Sequence, residues 1–343
     1  MSVIHLNMEM HRMSQYLLVK KLDVQNANAI AGLTYGFPAI TNFLGFAHAL
    51  SRKLSRELDV SLGGVCVVSH KNRVHARQPK GWGDYVFALT RNPLTQQGNT
   101  APINEEGRMN LQVSLLIEIK GLIQGDNQTE QMLIDQINAL LPAMRLAGGQ
   151  ITHYGQIEIL SDHEQQQKAL RRLMPGFILI DRSDYLASHV NGLQQEVVHG
   201  AKPSLFDAWC DFATLNYQAT RLDTEPEISG PSDTIKADWH YVPKPQAGYL
   251  VPIATGYCAI SPVYEAGQVA NVRDKSVPVA FAETAYSVGE WLSIHRLIDI
   301  SAGIWRYSYQ HPWYLAKTEP FQVDIPSIAD VDAALTSFNL DDY

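Results

Sequence analysis

The chain has 343 residues, 45% hydrophobic and 18% charged, with 35 acidic against 27 basic side chains and a net charge of −8. That length suggests about two domains, the apolar content suffices for a core, and the acidic balance argues against a freestanding non-specific nucleic-acid binder. Cys66, Cys210 and Cys258 are too dispersed for a disulfide scaffold or a thiolate zinc site.

In chain order, residues 1–15 read as a loose leader without the charge-then-apolar order of a secretory signal. YLLVKKLDV (16–24) reads as a strand, followed by Asn26, Asn28 and a turn-forming stretch through Gly32 and Gly36. Pro38 suits a first helical turn, and beyond it Phe43, Ala47, Leu50, Leu54 and Leu58 recur at helical spacing. GVCVVSH (64–70) reads as a buried strand and 85–90 as a short one, with a basic excursion (71–83) between them. A Gly/Asn/Pro-rich loop leads to RMNLQVSLLIEI (108–119), where Leu111, Val113, Leu115, Ile117 and Ile119 share one face at period two. A helix over 129–146 carries Leu133, Ile137, Leu140, Leu141 and Met144. Pro142 should kink or end it, and Gly148-Gly149 should stop it. With 150–160 as the next strand, the order is α+β: a ferredoxin-like (RRM-like) core carrying a hairpin excursion.

Residues 163–174 read as a basic-ended helix and PGFILI as a short buried strand, so the core spans 16–182. Residues 183–246 form a helical insertion and linker: 183–217 look helical but polar, and 219–246 hold five Pro/Gly breakers and five acids. Residues 247–315 return to order and pack on the core, with GEWLSIHRLIDI (289–300) read as helical. The tail, 316–343, holds six acids against Lys317, supplying −5 of the net charge. No apolar run is long enough to span a membrane, so a reducing cytoplasm is expected.

The charge map matters more than its sum. Residues 51–91 hold eight basic and three acidic side chains, a local +5. Within KNRVHARQPKGWG (71–83), Arg73, Arg77 and Lys80 precede Trp82, a glycine-flanked indole suited to stacking on a base. The other reading is a solvated hairpin with Trp82 tucked onto the core. Arg91, Asn92 and Arg108 lie at strand ends, where an arginine can grip a phosphate bidentately or simply pair with Glu105 or Glu106. Arg145 with Gly148 and Gly149 reads either as a close-approach phosphate site or as a helix C-cap with a dipole-matched cation. No GxGxxG or GxxxxGK[ST] motif supports a nucleotide site. His48, on the flank of the first helix, is the one candidate general base. His70 and His75 lack a third ligand, and neither a metal nor a cofactor is expected.

Five blocks carry a wider signature. LDVQNANAIAGLTYGFPAITNFLGFAHAL, RNPLTQQGNTAPINEEGRMNLQVSLL, MRLAGGQI, RRLMPGF and GYLVPIATGYCAISPVY…GEWLSIHR resemble, in that order, the small tail subunits of type I-F CRISPR surveillance (Csy) complexes over most of residues 16–300. The resemblance implies a fold of the repeat-associated RNA-binding superfamily and a non-catalytic role in antiviral defence. It implies binding of the CRISPR RNA 5′ handle and pairing with the large tail subunit. It also implies contact with the terminal backbone subunit and support of double-stranded target DNA recognition near the tail. Under it, Arg91, Asn92, Arg108, Arg145, Gly148 and Gly149 become RNA-contact candidates, joined by Asn26 and Asn28. The competing reading is a metal-independent endoribonuclease that processes CRISPR repeat RNA with His48 as general base.

Overall fold

Three short runs dictate the architecture: YLLV (16–19), VCVV (65–68) and LLI (115–117) are apolar at consecutive positions, so their strands must be covered on both faces. In the computed structural model of the protein, which describes residues 14–55, 58–91, 93–196, 202–221 and 237–319, they are the centres of β1 (Gln15–Asn28), β4 (Ser61–Val74) and β8 (Arg108–Lys120). On one face Leu17, Val19, Val65, Val67, Leu115 and Ile117 pack with α1 (Ile40–Ser51) and α2 (Asn127–Leu140). On the other, Tyr16, Leu18, Cys66, Val68 and Leu116 pack with α3 (His163–Arg172). Each fully buried Leu or Val side chain contributes about 1.5–3 kcal/mol.

Between these long strands lie several short ones. β2 (Ile30–Ala31) and β3 (Thr34–Tyr35) form a small hairpin. β5 (Ala76–Arg77), β6 (Val86–Arg91) and β7 (Ile103–Glu106) make the excursion ahead of β8. After α2 come β9 (Arg145–Leu146), β10 (Gly149–His153) and β11 (Ile157–Leu160), the last two both pairing with β1. β1 therefore lies between β8 and the β10/β11 edge, and β4 lies beyond β8.

The sheet does not stop at β4. β12 (Phe177–Asp181) pairs with Val68 and Ser69, then β16 (Ala282–Ser293), β15 (Leu250–Ala259), β18 (Trp313–Lys317) and β17 (Arg306–Gln310) follow, giving an antiparallel sheet of eleven strands. This half curls back on itself. Val65 and Trp305 exchange backbone hydrogen bonds of 3.0 and 2.9 Å, so β4 meets the far end of its own sheet. Gly64 permits that approach: a Cβ there would lie 2.6 Å from the Trp305 carbonyl oxygen. Arg306 clamps the seam, donating to both Glu118 oxygens at 2.6–3.2 Å, while the Gly64 N–H donates to Glu118 Oε2 at 2.9 Å. Burial pushes the Glu118 carboxyl up, but these hydrogen bonds outweigh it and its pKa is lowered.

α4 (Ser183–Glu196) and α5 (Leu205–Ala213) pack on β16 through Leu186, Trp209, Phe212 and Val288. β13 (Asn216–Arg221) and β14 (Ala237–Val242) form an exposed two-stranded hairpin. Among the described residues there are five α-helices, and none is long and apolar enough to cross a membrane.

Several expectations change. Residues 289–293 of the stretch read as helical belong to β16, and only Ile294–Arg296 and Ile300–Gly303 make single 3₁₀ turns. The reason is tertiary: β12 pairs with residues 289–293 and β15 with residues 282–290, and ladder pairing overrides helical spacing. α2 ends at Leu140, where Pro142 forces a 3₁₀ turn, so Gly148-Gly149 cap no helix. The polar stretch 183–217 is two helices followed by a strand, and both flanks of the expected linker form hairpin arms. Residues 1–13, 222–236, 320–343 and Asn92 lie outside the described residues.

Candidate nucleic-acid interface

Alternation along β8 builds the site. Met109, Leu111 and Val113 enter the core with α1 and α2, so Arg108, Asn110 and Gln112 must face the other way. That opposite face is covered by α3 only toward the other end of the strands. Here it is open, and the side chains along it are polar.

A groove of about 1070 Å³ crosses this open face, with Asp23, Gln25, Lys71, Arg73, Asn110 and Gln112 among its lining. The register explains their convergence: Arg73 pairs with Asn110 on the ladder, while Gln112 sits between Lys71 and Asp23. Gln112 donates to Asp23 Oδ1 at 2.8 Å, and Asn110 Oδ1 accepts from the Asn26 N–H at 3.1 Å. Asn26 adopts φ +56° at a bulge in β1, leaving its own side chain exposed. Lys71 and Arg73 are exposed and, among the described residues, have no acid within ion-pair distance. Phe177, Tyr249 and Trp291 supply aromatic surface on the groove wall.

His70, at one margin, is held rather than free. Its Nδ1–H donates to the Pro175 carbonyl at 2.9 Å, and its Nε2 accepts from Ser114 Oγ–H at 2.8 Å. Ser114 Oγ in turn accepts the Lys21 N–H at 2.9 Å. Burial lowers the His70 pKa and keeps the ring neutral.

A second, smaller cavity of about 520 Å³ lies at the end of the same strands, lined by Asn28, Asn42, Glu106, Arg108 and Gly148. Asn28 and Arg108 are ladder partners. Arg108 is already paired, its Nε and Nη2 lying 2.8 and 2.7 Å from Glu106 Oε2. The Asn28 amide clasps the backbone of Ile30 with both its oxygen and its nitrogen. Arg145 Nη1 donates to the Gly148 carbonyl at 3.2 Å, bridging the β9–β10 turn. Ala147 and Gly148 in that turn both have positive φ, +50° and +75°, the type I′ geometry that tight hairpins favour. Gly148 is exposed to the cavity. Gly149 is buried, because a Cβ there would lie 2.6 Å from the Gln25 oxygen of β1.

The predicted residues thus fall into three neighbouring groups. Arg73 lines the large groove, and Asn26 adjoins it through its backbone hydrogen bond to Asn110. Asn28, Arg108, Arg145, Gly148 and Gly149 cluster at the smaller cavity. Arg77, Lys80 and Trp82 belong to the excursion past β4. Trp82 does not tuck onto the core: it is 72% exposed, with Lys80 Nζ 5.6 Å from its ring centroid. Arg91 ends β6, which pairs with β7, and only its backbone is described.

His48 stands apart. It is exposed on α1, lines neither cavity, and has no side-chain partner among the described residues. It lies six residues, about 9 Å of helix rise, beyond Asn42, the α1 residue at the smaller cavity. His75 is held through its backbone by the Arg108 carbonyl. Among the described residues no cluster of three or more His, Cys, Asp or Glu side chains could hold a metal.

Sequence reasoning counted Lys71 in the basic stretch without singling it out, and missed Gln25, Asn110 and Gln112. The signal was present in the polar half of the 108–119 alternation, whose apolar half alone was used to find the strand.

Residues 17–316 match the model of a family described as CRISPR-associated protein (Cas_Csy2). The chain is also 39% identical, over 312 residues, to the CRISPR-associated protein Csy2 of Pseudomonas aeruginosa strain UCBPP-PA14, covering 86% of this chain and 92% of that relative.

Proposed function

The chain belongs to the Csy2 family of CRISPR-associated proteins, and on that premise we propose that it is a non-catalytic subunit of a cytoplasmic type I-F surveillance complex, binding the 5′ handle of the CRISPR RNA. The observation that carries this reading is the polar face of β8. Arg108, Asn110 and Gln112 run from the smaller cavity into a groove where Lys71 and Arg73 make no ion pair among the described residues.

Single-stranded RNA needs cations for its phosphates and exposed faces or amides for its bases. Lys71 and Arg73 offer the first, with Arg77, Lys80 and Arg145 alongside. Asn26, Asn110 and Gln25 offer base-edge partners, and Trp82 a stacking plane at the tip of the excursion. Arg91 and Asn92 are proposed as further RNA contacts. Gly148 and Gly149 let the β9–β10 turn approach closely, while Asn28 and Arg108 position the cavity that the handle enters.

An acidic chain can hold RNA in this way because it acts within an assembly. The large tail subunit would pair with it, the terminal backbone subunit would abut it, and target DNA would pass nearby. The strand order with β1 between β8 and β10/β11 and β4 next to β8, together with α1 and α2 on one face, supports reading residues 16–182 as a ferredoxin-like core of the repeat-associated superfamily.

The test is co-expression with partner subunits and a repeat array, followed by ultraviolet crosslinking of the purified ribonucleoprotein. Crosslinks from the RNA 5′ end should map to 71–83, 108–112 and 145–149. Lys71→Ala/Arg73→Ala should weaken handle binding and reduce the logarithmic salt slope by about 1.4, roughly 0.7 per lost phosphate contact on a single strand. An assembled particle whose RNA leaves this chain uncrosslinked would end the reading, as would metal-free cleavage of repeat RNA by the purified protein.

A further inference from the structure

We propose that a pocket between α5 and β18 receives an arginine side chain from a partner protein, its guanidinium stacking on an aromatic wall and meeting the carboxylate of Asp181. The pocket has a volume of about 570 Å³, and Asp181, Phe206, Trp209, Tyr286, Trp313 and Lys317 are among its lining. It shares no lining residue with the basic groove, so this role and the RNA-binding role stand or fall separately.

Asp181 ends β12 and is half-buried. The Ser183 N–H donates to its Oδ1 at 3.0 Å and the Ser183 hydroxyl to its Oδ2 at 2.9 Å, while Ser287 Oγ lies 3.5 Å from Oδ1. A carboxylate offers about four acceptor positions, so it has capacity for a further donor. Among the described residues no cation lies within ion-pair distance of Asp181. The Ser183 hydrogen bonds and the more distant Lys317 charge favour its ionised form, yet burial outweighs them and its pKa is raised. A buried acid whose charge is compensated this incompletely gains from an opposite charge delivered to it.

The aromatic wall is fixed in advance. The Trp209 indole N–H donates to the Ser287 carbonyl at 3.1 Å, Phe206 stacks on Trp209 at 5.8 Å with 28° between the planes, and the Tyr286 ring lies 5.3 Å from that of Trp209. Ser287 ties wall and acid together, its carbonyl holding Trp209 and its hydroxyl beside Asp181. A guanidinium suits this pairing better than an ammonium, because it is planar, stacks on aromatic faces and meets a carboxylate with a two-pronged fork. Phe206 and Trp313 are 57 and 41% exposed, an apolar rim that a small free cation would leave wet. A protein carrying the arginine covers that rim too, the arrangement of a buried anchor ringed by water-excluding contacts. Lys317 opposes any cation in the pocket, which makes its removal a specific test.

Ethylguanidinium is the probe for the pocket, read by fluorine NMR on the full chain labelled with 5-fluorotryptophan. The Trp209 and Trp313 signals should shift saturably, and that of Trp82 should not. Asp181→Asn, which keeps an acceptor for Ser183, should weaken binding at least about tenfold, and Trp313→Ala roughly twofold to fivefold. Lys317→Ala should tighten it. Neutral ethylurea binding as well as ethylguanidinium would overturn the proposal, as would indifference to Asp181→Asn. The partner is read by Phe206→p-benzoylphenylalanine in the particle assembled with its other subunits. The photocrosslinked peptide should belong to another protein and contain an arginine whose alanine variant loses the crosslink. A crosslink to RNA, to a second copy of this chain or to a peptide without arginine would also overturn it, and so would no crosslink at all.

Discussion

Substituting Gly64 by alanine tests the closure of the curled sheet. A methyl group there would lie 2.6 Å from the Trp305 carbonyl oxygen and 2.5 Å from Ile304 Cγ2, both well inside van der Waals contact. Trp305 cannot easily retreat, being fully buried with its indole N–H donating to the Leu179 carbonyl at 2.7 Å. Overpacking of this kind costs about 1–3 kcal/mol. Shifting the backbone to relieve it stretches the two Val65–Trp305 hydrogen bonds, each contributing about 1 kcal/mol. Alanine returns ~0.4–1 kcal/mol by restricting the unfolded chain. The balance is a loss of about 2–4 kcal/mol, a large share of the ~5–15 kcal/mol that holds a typical domain. Urea unfolding followed by far-ultraviolet circular dichroism reads this as a fall in midpoint. Gly45→Ala is the internal control: that glycine is exposed on α1 with nothing within 4 Å of an added methyl, so the same change should stabilise by about 1 kcal/mol. If both variants were neutral or stabilising, the seam at Val65–Trp305 would not be under the packing constraint argued here.

Two further perturbations follow from buried polar groups. His70 is neutral in the fold with its pKa lowered by burial, so the unfolded chain takes up a proton that the native protein resists. Its contribution is therefore full above the unfolded value near ~6.5 and is lost as pH falls from there toward the lower native value. His70→Gln should flatten the stability–pH curve across that window, whereas an unchanged slope would remove His70 as its source. Arg182 donates from Nε to Glu290 Oε2 at 2.7 Å with both side chains almost fully buried. Glu290→Ala, which removes this buried carboxylate partner, should cost about 3–5 kcal/mol, while Arg182→Met/Glu290→Leu should recover most of it. A double variant as unstable as the summed singles would contradict that accounting.

The parts of the fold legible in the sequence were those where local pattern and tertiary demand agree. The consecutive apolar runs of β1, β4 and β8, the stripes of α1 and α2, and the PGFILI strand all identify themselves, because burial on one or both faces leaves a periodic trace. GEWLSIHRLIDI failed for the opposite reason: Trp291, Leu292 and Ile294 satisfy helical spacing locally, but residues 289–293 pair with β12 and the strand's earlier residues with β15, a fact held in distant segments. Gly148-Gly149 was ambiguous because a glycine pair serves a helix end and a type I′ turn equally well. At the candidate interface, Arg73, Asn28 and Arg108 were found through charge and position. Gln25, Asn110 and Gln112 were not, since neutral amides carry no signal until the strand's facing is known. The pairing of Arg108 with Glu106 was weighed from sequence as one of two outcomes, and only coordinates could decide which acid, if any, it meets.

The seam between residues 65 and 305 also bears on how the molecule comes into being. A chain synthesised from its N-terminus exposes one edge of β4 long before the segment that seals it has been made. Until then the nascent protein carries an open strand border, the surface on which chains pair wrongly with one another. Contacts this remote in sequence form late and slowly, so the border stays open until the segment around Trp305 has been made and has packed against Val65.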